Sequence, residues 1–168
     1  MDRYAQERYN PTLPHCGLLA LHFDGHVLAM ETGARTLRYP AVSGRPINGS
    51  FDYSWERQGI ENVGPIPEGV YWIRPDELWE VKFWRRLCLG LYSCYPESAW
   101  GRYLIRIHPF TTTDIRGRKG GFTIHGGSVP GSAGCIDLTS EITRFATDLA
   151  REAGRNQACQ IHLTVKYR

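Results

Sequence analysis

Mainly β, of the α+β class, is the fold this chain predicts, and three observations carry the expectation. Short apolar runs punctuated by glycine, proline and aspartate recur along its 168 residues. Only two stretches carry helical spacing, and the composition, 42% hydrophobic and 22% charged, suits one core that needs neither disulfides nor metals to form. A single domain is expected over residues 16–168, behind an N-terminal arm over 1–15 that contains Pro11 and Pro14. No repeat or low-complexity tract interrupts it.

In chain order, residues 17–23 and 26–30 read as two strands of a hairpin, because Asp24-Gly25 between them suits a tight turn with positive φ. Residues 70–74, 103–108, 122–125 and 160–167 are further strands. In Tyr103-Leu-Ile-Arg-Ile-His108 the alternation puts Tyr103, Ile105 and Ile107 on one face and Leu104, Arg106 and His108 on the other. A first helix is expected over 76–87, with Trp79, Phe83 and Leu87 four apart, acidic residues at its start and Arg85 and Arg86 at its end. A second is expected over 139–153, with Ile142, Phe145 and Leu149 on one stripe, Thr139 as N-cap and Gly154 at its end. The aromatic stretch 79–100 is long for a connection and suggests a lid or wall over a cleft.

The residues that carry chemistry are a histidine and a cysteine ten positions apart, in Phe122-Thr-Ile-His125-Gly-Gly-Ser-Val-Pro-Gly-Ser132-Ala-Gly134-Cys135-Ile-Asp-Leu138. Phe122-Thr-Ile reads as a strand ending on His125, the Gly/Ser/Pro run as a loop, and Cys135 opens a second apolar stretch. An isolated cysteine is more often a small buried apolar residue. The density of glycine and serine around this one favours an active site, in which an imidazole raises the thiolate fraction and later protonates a leaving amine. Gly134 leaves room for backbone N–H groups to approach an oxyanion. Ser132 orders the loop or polarises the pair, and a carbonyl around Gly126 or Gly127 orients the imidazole, since no acidic third member lies in the motif.

These residues, His125-Gly-Gly-(x)4-Ser132-Ala-Gly-Cys135-Ile-Asp-Leu, resemble the His…Ser-x-Gly-Cys signature of the YkuD-type L,D-transpeptidases, and more closely that of their compact relatives, the Tlde1-like effectors of type VI secretion systems. Tyr39-Pro-Ala-Val-Ser-Gly44 and Val63-Gly-Pro-Ile-Pro-Glu-Gly-Val-Tyr-Trp-Ile73 are similar, in order, to the family's strand end and its proline turn. The resemblance covers roughly residues 18 to 168. It implies a YkuD-like β-sandwich or barrel, with a catalytic loop followed by a helix and one further helical insertion. It also implies Cys135 as nucleophile, His125 as base, and a peptidoglycan stem peptide as substrate, cleaved before its terminal D-alanine or charged with another D-amino acid. Many cell-wall members carry a second histidine before the Gly-Cys pair and an arginine two residues after it, where this chain has Ala133 and Asp137. Arg106, His108, Arg116 and Arg118 are candidates for the missing cation. Together with Gly126 and Gly127, Arg106, His108 and Arg118 form the expected substrate-binding set.

Other function classes fit less well. The net charge of +3 is mild and spread out, which argues against a nucleic-acid protein. A papain-like peptidase or amidase usually places its cysteine before its histidine, an inactive binding module would have a broken pair, and a redox protein would show a resolving cysteine near Cys135. No cofactor is expected, and no metal, since Cys-x2-Cys spacing is absent. No run reaches a membrane span, and the first residues, Met1-Asp-Arg-Tyr, lack the apolar core of a secretory signal. The expectation is a monomer made in the cytoplasm and delivered to the periplasm of target bacteria, with type VI delivery components and a cognate immunity protein as partners. Five cysteines, Cys16, Cys88, Cys94, Cys135 and Cys159, form an odd set. In an oxidising compartment Cys88 can pair with Cys94 and Cys16 with Cys159, leaving Cys135 free.

Overall fold

The computed structural model describes residues 10–80 and 100–168. Its strands are β1 (His15–Phe23), β2 (Val27–Glu31), β3 (Thr36–Pro40), β4 (Val42–Ser43), β5 (Gly69–Ile73), β6 (Trp79–Glu80), β7 (Tyr103–Arg106), β8 (His108–Pro109), β9 (Thr123–His125), β10 (Ile136–Asp137) and β11 (Gln160–Val165). Among the described residues its α-helices include a single turn, α1 (Trp55–Gln58), and α2 (Ile142–Ala153). The strands form a six-stranded sheet in the order β3-β2-β1-β11-β5-β8 and a five-stranded sheet in the order β4-β10-β9-β7-β6. The described residues are therefore mainly β, with two sheets and one long helix.

The first hairpin forms as its turn chemistry dictates. Asp24 Oδ1 accepts the N–H groups of His26 and Val27, Gly25 takes φ +95°, and Phe23 faces Leu28 across the ladder. In β1, Leu19, Leu21 and Phe23 point into the core while Leu18 faces solvent at 79% exposure. That core is shared between the sheets: Leu21, Phe23, Leu28, Ile161 and Leu163 from the larger one meet Ile105, Ile124 and Ile136 from the smaller. Each such fully buried side chain contributes about 1.5–3 kcal/mol.

Residues 103–108, expected as one strand, are two. Ile107 interrupts the run, its N–H donating to Phe122 O, so that β7 belongs to the smaller sheet and β8 to the larger. Arg106 is therefore exposed and His108 buried, and they do not share a face as the alternation implied. A strand that changes sheets breaks the period of two on which that reading rested.

The second helix corresponds to α2, which buries Ile142, Phe145 and Leu149 and ends at Gly154 with φ +71°. Tyr39 sits edge-on to Phe145 at 5.3 Å and donates its hydroxyl to Asp148 Oδ2 at 2.7 Å, tying α2 to the larger sheet. The N-cap differs from expectation. Residues Thr139–Glu141 form a 3-10 turn, Thr139 stands at φ +50°, and Glu141 precedes the α-helix without a side-chain cap. Thr139 is instead held by Asp137, whose Oδ1 accepts its N–H at 2.8 Å. The first predicted helix fails at its start. Pro75–Glu77 is a 3-10 turn, and Trp79 and Glu80 pair with Leu104 and Tyr103, an edge contact the helical spacing could not reveal. The rest of that helix, most of the proposed aromatic wall, and the Cys88 and Cys94 pair lie outside the described residues.

The arm is tied down where it is described. Asn10 Oδ1 accepts from Thr111, and Pro14 O accepts the Gln160 N–H. Beside it, Cys16 and Cys159 form a disulfide with Cα atoms 5.1 Å apart, closing a loop of sequence separation 143. Such a long loop places the bond among those that most restrict the unfolded chain, by up to about 5 kcal/mol. Replacing both cysteines by serine should lower unfolding stability by about 2–5 kcal/mol. The check is urea unfolding of the double variant, and of the native protein with and without reductant; coincident curves would show that the bond carries no stability.

Candidate active site

The site is built where the two parallel strands of the smaller sheet lie side by side. Ile136 pairs with Ile124 and Asp137 with His125, so Cys135, one step ahead of β10, comes level with Thr123. Because side chains two apart share a face, Thr123, His125 and Cys135 converge on one side. A loop without helix, 126–134, connects the strands, as expected from its glycine and serine.

His125 is 2% exposed, and its ring is fixed from two sides. Its Nδ1 lies 2.7 Å from Gly126 O, so that the Nδ1–H tautomer donates there and leaves Nε2 as the basic nitrogen. The ring of Trp100 covers it at 4.8 Å between centroids, and Trp100 O accepts the Gly126 N–H. Gly126 must be glycine: a Cβ would stand 2.4 Å from Thr139 O and from Ile142 Cγ2. This contact presses the end of β9 onto the turn leading into α2 and sets the carbonyl that orients the imidazole. Gly127 N–H adds a bond to Thr139 O at 3.3 Å.

Cys135 is buried and is the free cysteine among the described residues. Burial pushes its thiol up, but His125 and then Thr123 pull it further down, and the net position is below the ordinary thiol range. His125 responds in the opposite sense. Burial disfavours its cation, yet Cys135, the Gly126 carbonyl and Asp137 raise it above the ordinary histidine value. Thiolate and imidazolium thus favour one another, and Nε2, buried with no other hydrogen-bond partner, remains available for the proton.

Ser132 orders the loop: its hydroxyl donates to Cys135 O at 2.7 Å, and its N–H donates to Gly44 O at 2.9 Å. Asp137, missed as a site residue, clamps both ends of the turn, with Oδ2 accepting from Gly131 N–H at 2.9 Å and Oδ1 from Thr139. Its side chain is fully buried, and burial raises its pKa against the pull of Thr139, His125 and Gly131. Sequence spacing alone offered no sign of this clamp, since it depends on a loop folding back.

The four candidate cations are dispersed. Arg118 is buried beside Gly134, where its guanidinium donates to Gly64 O, Pro65 O and Gln58 O through Nη1 and to Ala133 O through Nη2. A Cβ on Gly134, which has φ +104°, would lie 2.2 Å from Arg118 Nη2. Arg106 is exposed opposite Thr123 in the β7–β9 ladder, at the rim of the face that holds the pair. Arg116 stacks over Trp55 at 3.5 Å, and His108 belongs to the larger sheet, with Nε2 2.6 Å from Glu77 and its ring on Trp72. The structure thus brings Arg118 and Arg106 to the cysteine's surroundings and engages His108 elsewhere. Among the described residues no group of three His, Cys, Asp or Glu could hold a metal, and no helix is long and apolar enough to cross a membrane.

No protein-family model matches the chain, and no curated protein does. Among solved structures it is similar to that of Bdellovibrio bacteriovorus Bd1075, with a TM-score of 0.52 and 17% identity over 97% of this chain and 52% of that one. A second similarity, to an L,D-transpeptidase from Mycobacterium smegmatis, has a TM-score of 0.40 and 15% identity over 87% of this chain and 58% of that one. The chain spans little more than half the length of either. The first likeness shows a shared fold; the second is too weak to add to it.

Two outcomes test the geometry. Gly134→Ala should destabilise the fold by about 1–3 kcal/mol from backbone strain alone, with a further loss as Arg118 is displaced; thermal unfolding reads it. His125→Ala should raise the Cys135 pKa by at least about one unit, because burial stays and the neighbouring cation goes. Ultraviolet absorbance of the thiolate during a pH titration, referenced to Cys135→Ser, measures that shift; an unmoved midpoint would reject the pairing. In the native protein both shifts favour the thiolate and imidazolium pair. It is lost by thiolate protonation on the acid side and by imidazolium deprotonation on the alkaline side.

Proposed function

We propose that this chain is a cysteine acyl-transfer enzyme of the L,D-transpeptidase kind, acting on peptidoglycan stem peptides. The observation that carries the reading is a buried thiol drawn below its ordinary pKa by an imidazole whose other nitrogen is anchored to a main-chain carbonyl. The substrate class is supported by the resemblance of residues 125–138, 39–44 and 63–73 to that family.

In the proposed reaction, His125 Nε2 accepts the Cys135 proton and the thiolate attacks the carbonyl of the L,D bond before the terminal D-alanine. The main-chain N–H groups of Gly134 and Cys135 stabilise the oxyanion. Imidazolium returns the proton to the departing D-alanine amine, leaving a thioester on Cys135. Water then completes a carboxypeptidase cycle, and the amine of a free D-amino acid completes an exchange. Ser132 holds the loop that carries the nucleophile, and Arg106 at the rim is the cation best exposed to a substrate carboxylate. The reaction calls for no cofactor.

The same proposal places the protein in the bacterial periplasm as an antibacterial type VI effector, with secretion components delivering it and an immunity protein occluding the Cys135 cleft. The Cys16 to Cys159 disulfide supports an oxidising destination. Delivery and toxicity rest on the sequence resemblance.

Mass spectrometry of purified tetrapeptide muropeptides incubated with the native protein or with Cys135→Ala, with and without D-methionine, is the decisive experiment. Loss of D-alanine, or its replacement by D-methionine, is expected with the native protein and should fall by at least about a thousandfold in the variant. Unchanged substrate in both samples would reject the stem-peptide assignment.

A further inference from the structure

We propose that the Thr123 hydroxyl is a third member of the reacting group, donating a hydrogen bond to the Cys135 thiolate and so holding the sulfur in its ionised, attacking state. This rests on the cysteine and histidine reading of the site but not on the identity of the acyl substrate.

Thr123 and His125 are the two residues of β9 that point to the same face, and the parallel register with β10 brings Cys135 level with Thr123. The Thr123 Oγ1 atom is buried and has no hydrogen-bond partner. A buried hydroxyl without a partner costs free energy, and threonine is not needed to fill space that valine fills equally well. The polar group it does face is the sulfur, on which both its side chain and its main chain act.

The chemistry explains why such a hydroxyl is incomplete with a neutral thiol. S–H is a weak donor and a weak acceptor, so the contact with the neutral thiol is poor. Once His125 Nε2 has taken the thiol proton, the sulfur becomes an anion, and a hydrogen bond to an anion is about twice as strong as one between neutral groups. The hydroxyl keeps its own proton throughout. It therefore stabilises the ionised form selectively, which a group bonded equally to both forms could not do. The β-branched side chain adds direction, because its χ1 is restricted and Oγ1 cannot swing freely away.

A buried thiol needs such help more than an exposed one. His125 offers a single cation at one side of the sulfur, and Arg118, though close, has its Nη atoms on four carbonyls. Thr123 supplies a second donor from the strand floor. Arg106, opposite Thr123 in the ladder, is exposed at the rim and leaves this inner position to the hydroxyl.

Thr123→Val, nearly the same shape without the donor, tests the assignment. The midpoint of thiolate formation, followed by ultraviolet absorbance against the matching Cys135→Ser background, should rise by about one pH unit. At a pH below both midpoints, alkylation by iodoacetamide should slow about tenfold. Thr123→Ser, which restores the hydroxyl, should return both values most of the way, while the valine variant should unfold at a temperature no lower than the native protein does. A folded valine variant with an unmoved midpoint would overturn the proposal. So would a serine variant displaced as far as valine, because packing of the methyl group would then be the cause. Thr123→Ala decides by the same titration if the valine variant does not fold. Neither readout needs a peptidoglycan substrate. A shifted midpoint without muropeptide turnover would remove only the substrate assignment, and normal turnover with an unmoved midpoint would remove only Thr123.

Discussion

One buried guanidinium holds the working end of this molecule together. Arg118 reaches back from the segment before β9 and donates to carbonyls at 58, 64 and 65 with one nitrogen and at 133 with the other. Those carbonyls belong to three separate stretches, the end of α1, the proline turn and the loop that presents Cys135. A planar group with donors in fixed directions can satisfy several carbonyls at once where a lysine could not. Its charge is expensive to bury, and the carbonyl dipoles around it are what offset that cost. The requirement propagates. Gly134 can carry no side chain because the guanidinium occupies that space, and Gly44 is excluded from having one by Pro65, 2.9 Å from where its Cβ would stand.

Around that clamp the loop is held by short-range bonds of a complementary kind. Gly44 O takes the Ser132 N–H, Ser132 in turn supports the Cys135 carbonyl, and Asp137 closes the loop from the far side. Three stretches far apart in the chain, 39–44, 63–73 and 125–138, are thus tied together at the loop that carries Cys135. In the proposed acyl transfer this rigidity would have a chemical purpose. A nucleophile must be held to within a fraction of an ångström of its base, and a glycine-rich loop acquires that precision only from external bonds.

Electrostatics in the site are a contest between burial and pairing. Burial alone would leave Cys135 a neutral thiol and His125 a neutral imidazole. Each is displaced the other way, chiefly by its partner, and this is why neither shift makes sense without the other. Asp137 adds a buried carboxylate near the imidazole without bonding to it, since Nδ1 is already committed to Gly126 O. At the opposite end, the disulfide fastens the first strand to the approach to the last, so the parallel β1–β11 pairing at the centre of the larger sheet is covalently secured.

Local sequence determined a good part of this. The Asp24-Gly25 hairpin, the apolar stripe and glycine stop of α2, the strand ending on His125, and the approach of His125 to Cys135 across a glycine-rich loop all follow from residues near one another in the chain, because turn chemistry, helical spacing and side-chain alternation are short-range effects. The carbonyl at Gly126 that orients the imidazole was legible for the same reason. What only the tertiary structure decided were the contacts between distant segments. The break at Ile107 depends on which sheet each half of the run joins. The strand at Trp79 depends on a partner at Leu104, and the 3-10 turn at Thr139 on a carboxylate two residues earlier that is folded into a clamp. Arg118 is indistinguishable in sequence from the solvated arginines around it, and Thr123 from any polar residue on a strand. Their roles arise where the parallel strands and the returning loops bury polar atoms together. There a polar group has to be satisfied by whatever the fold brings to it.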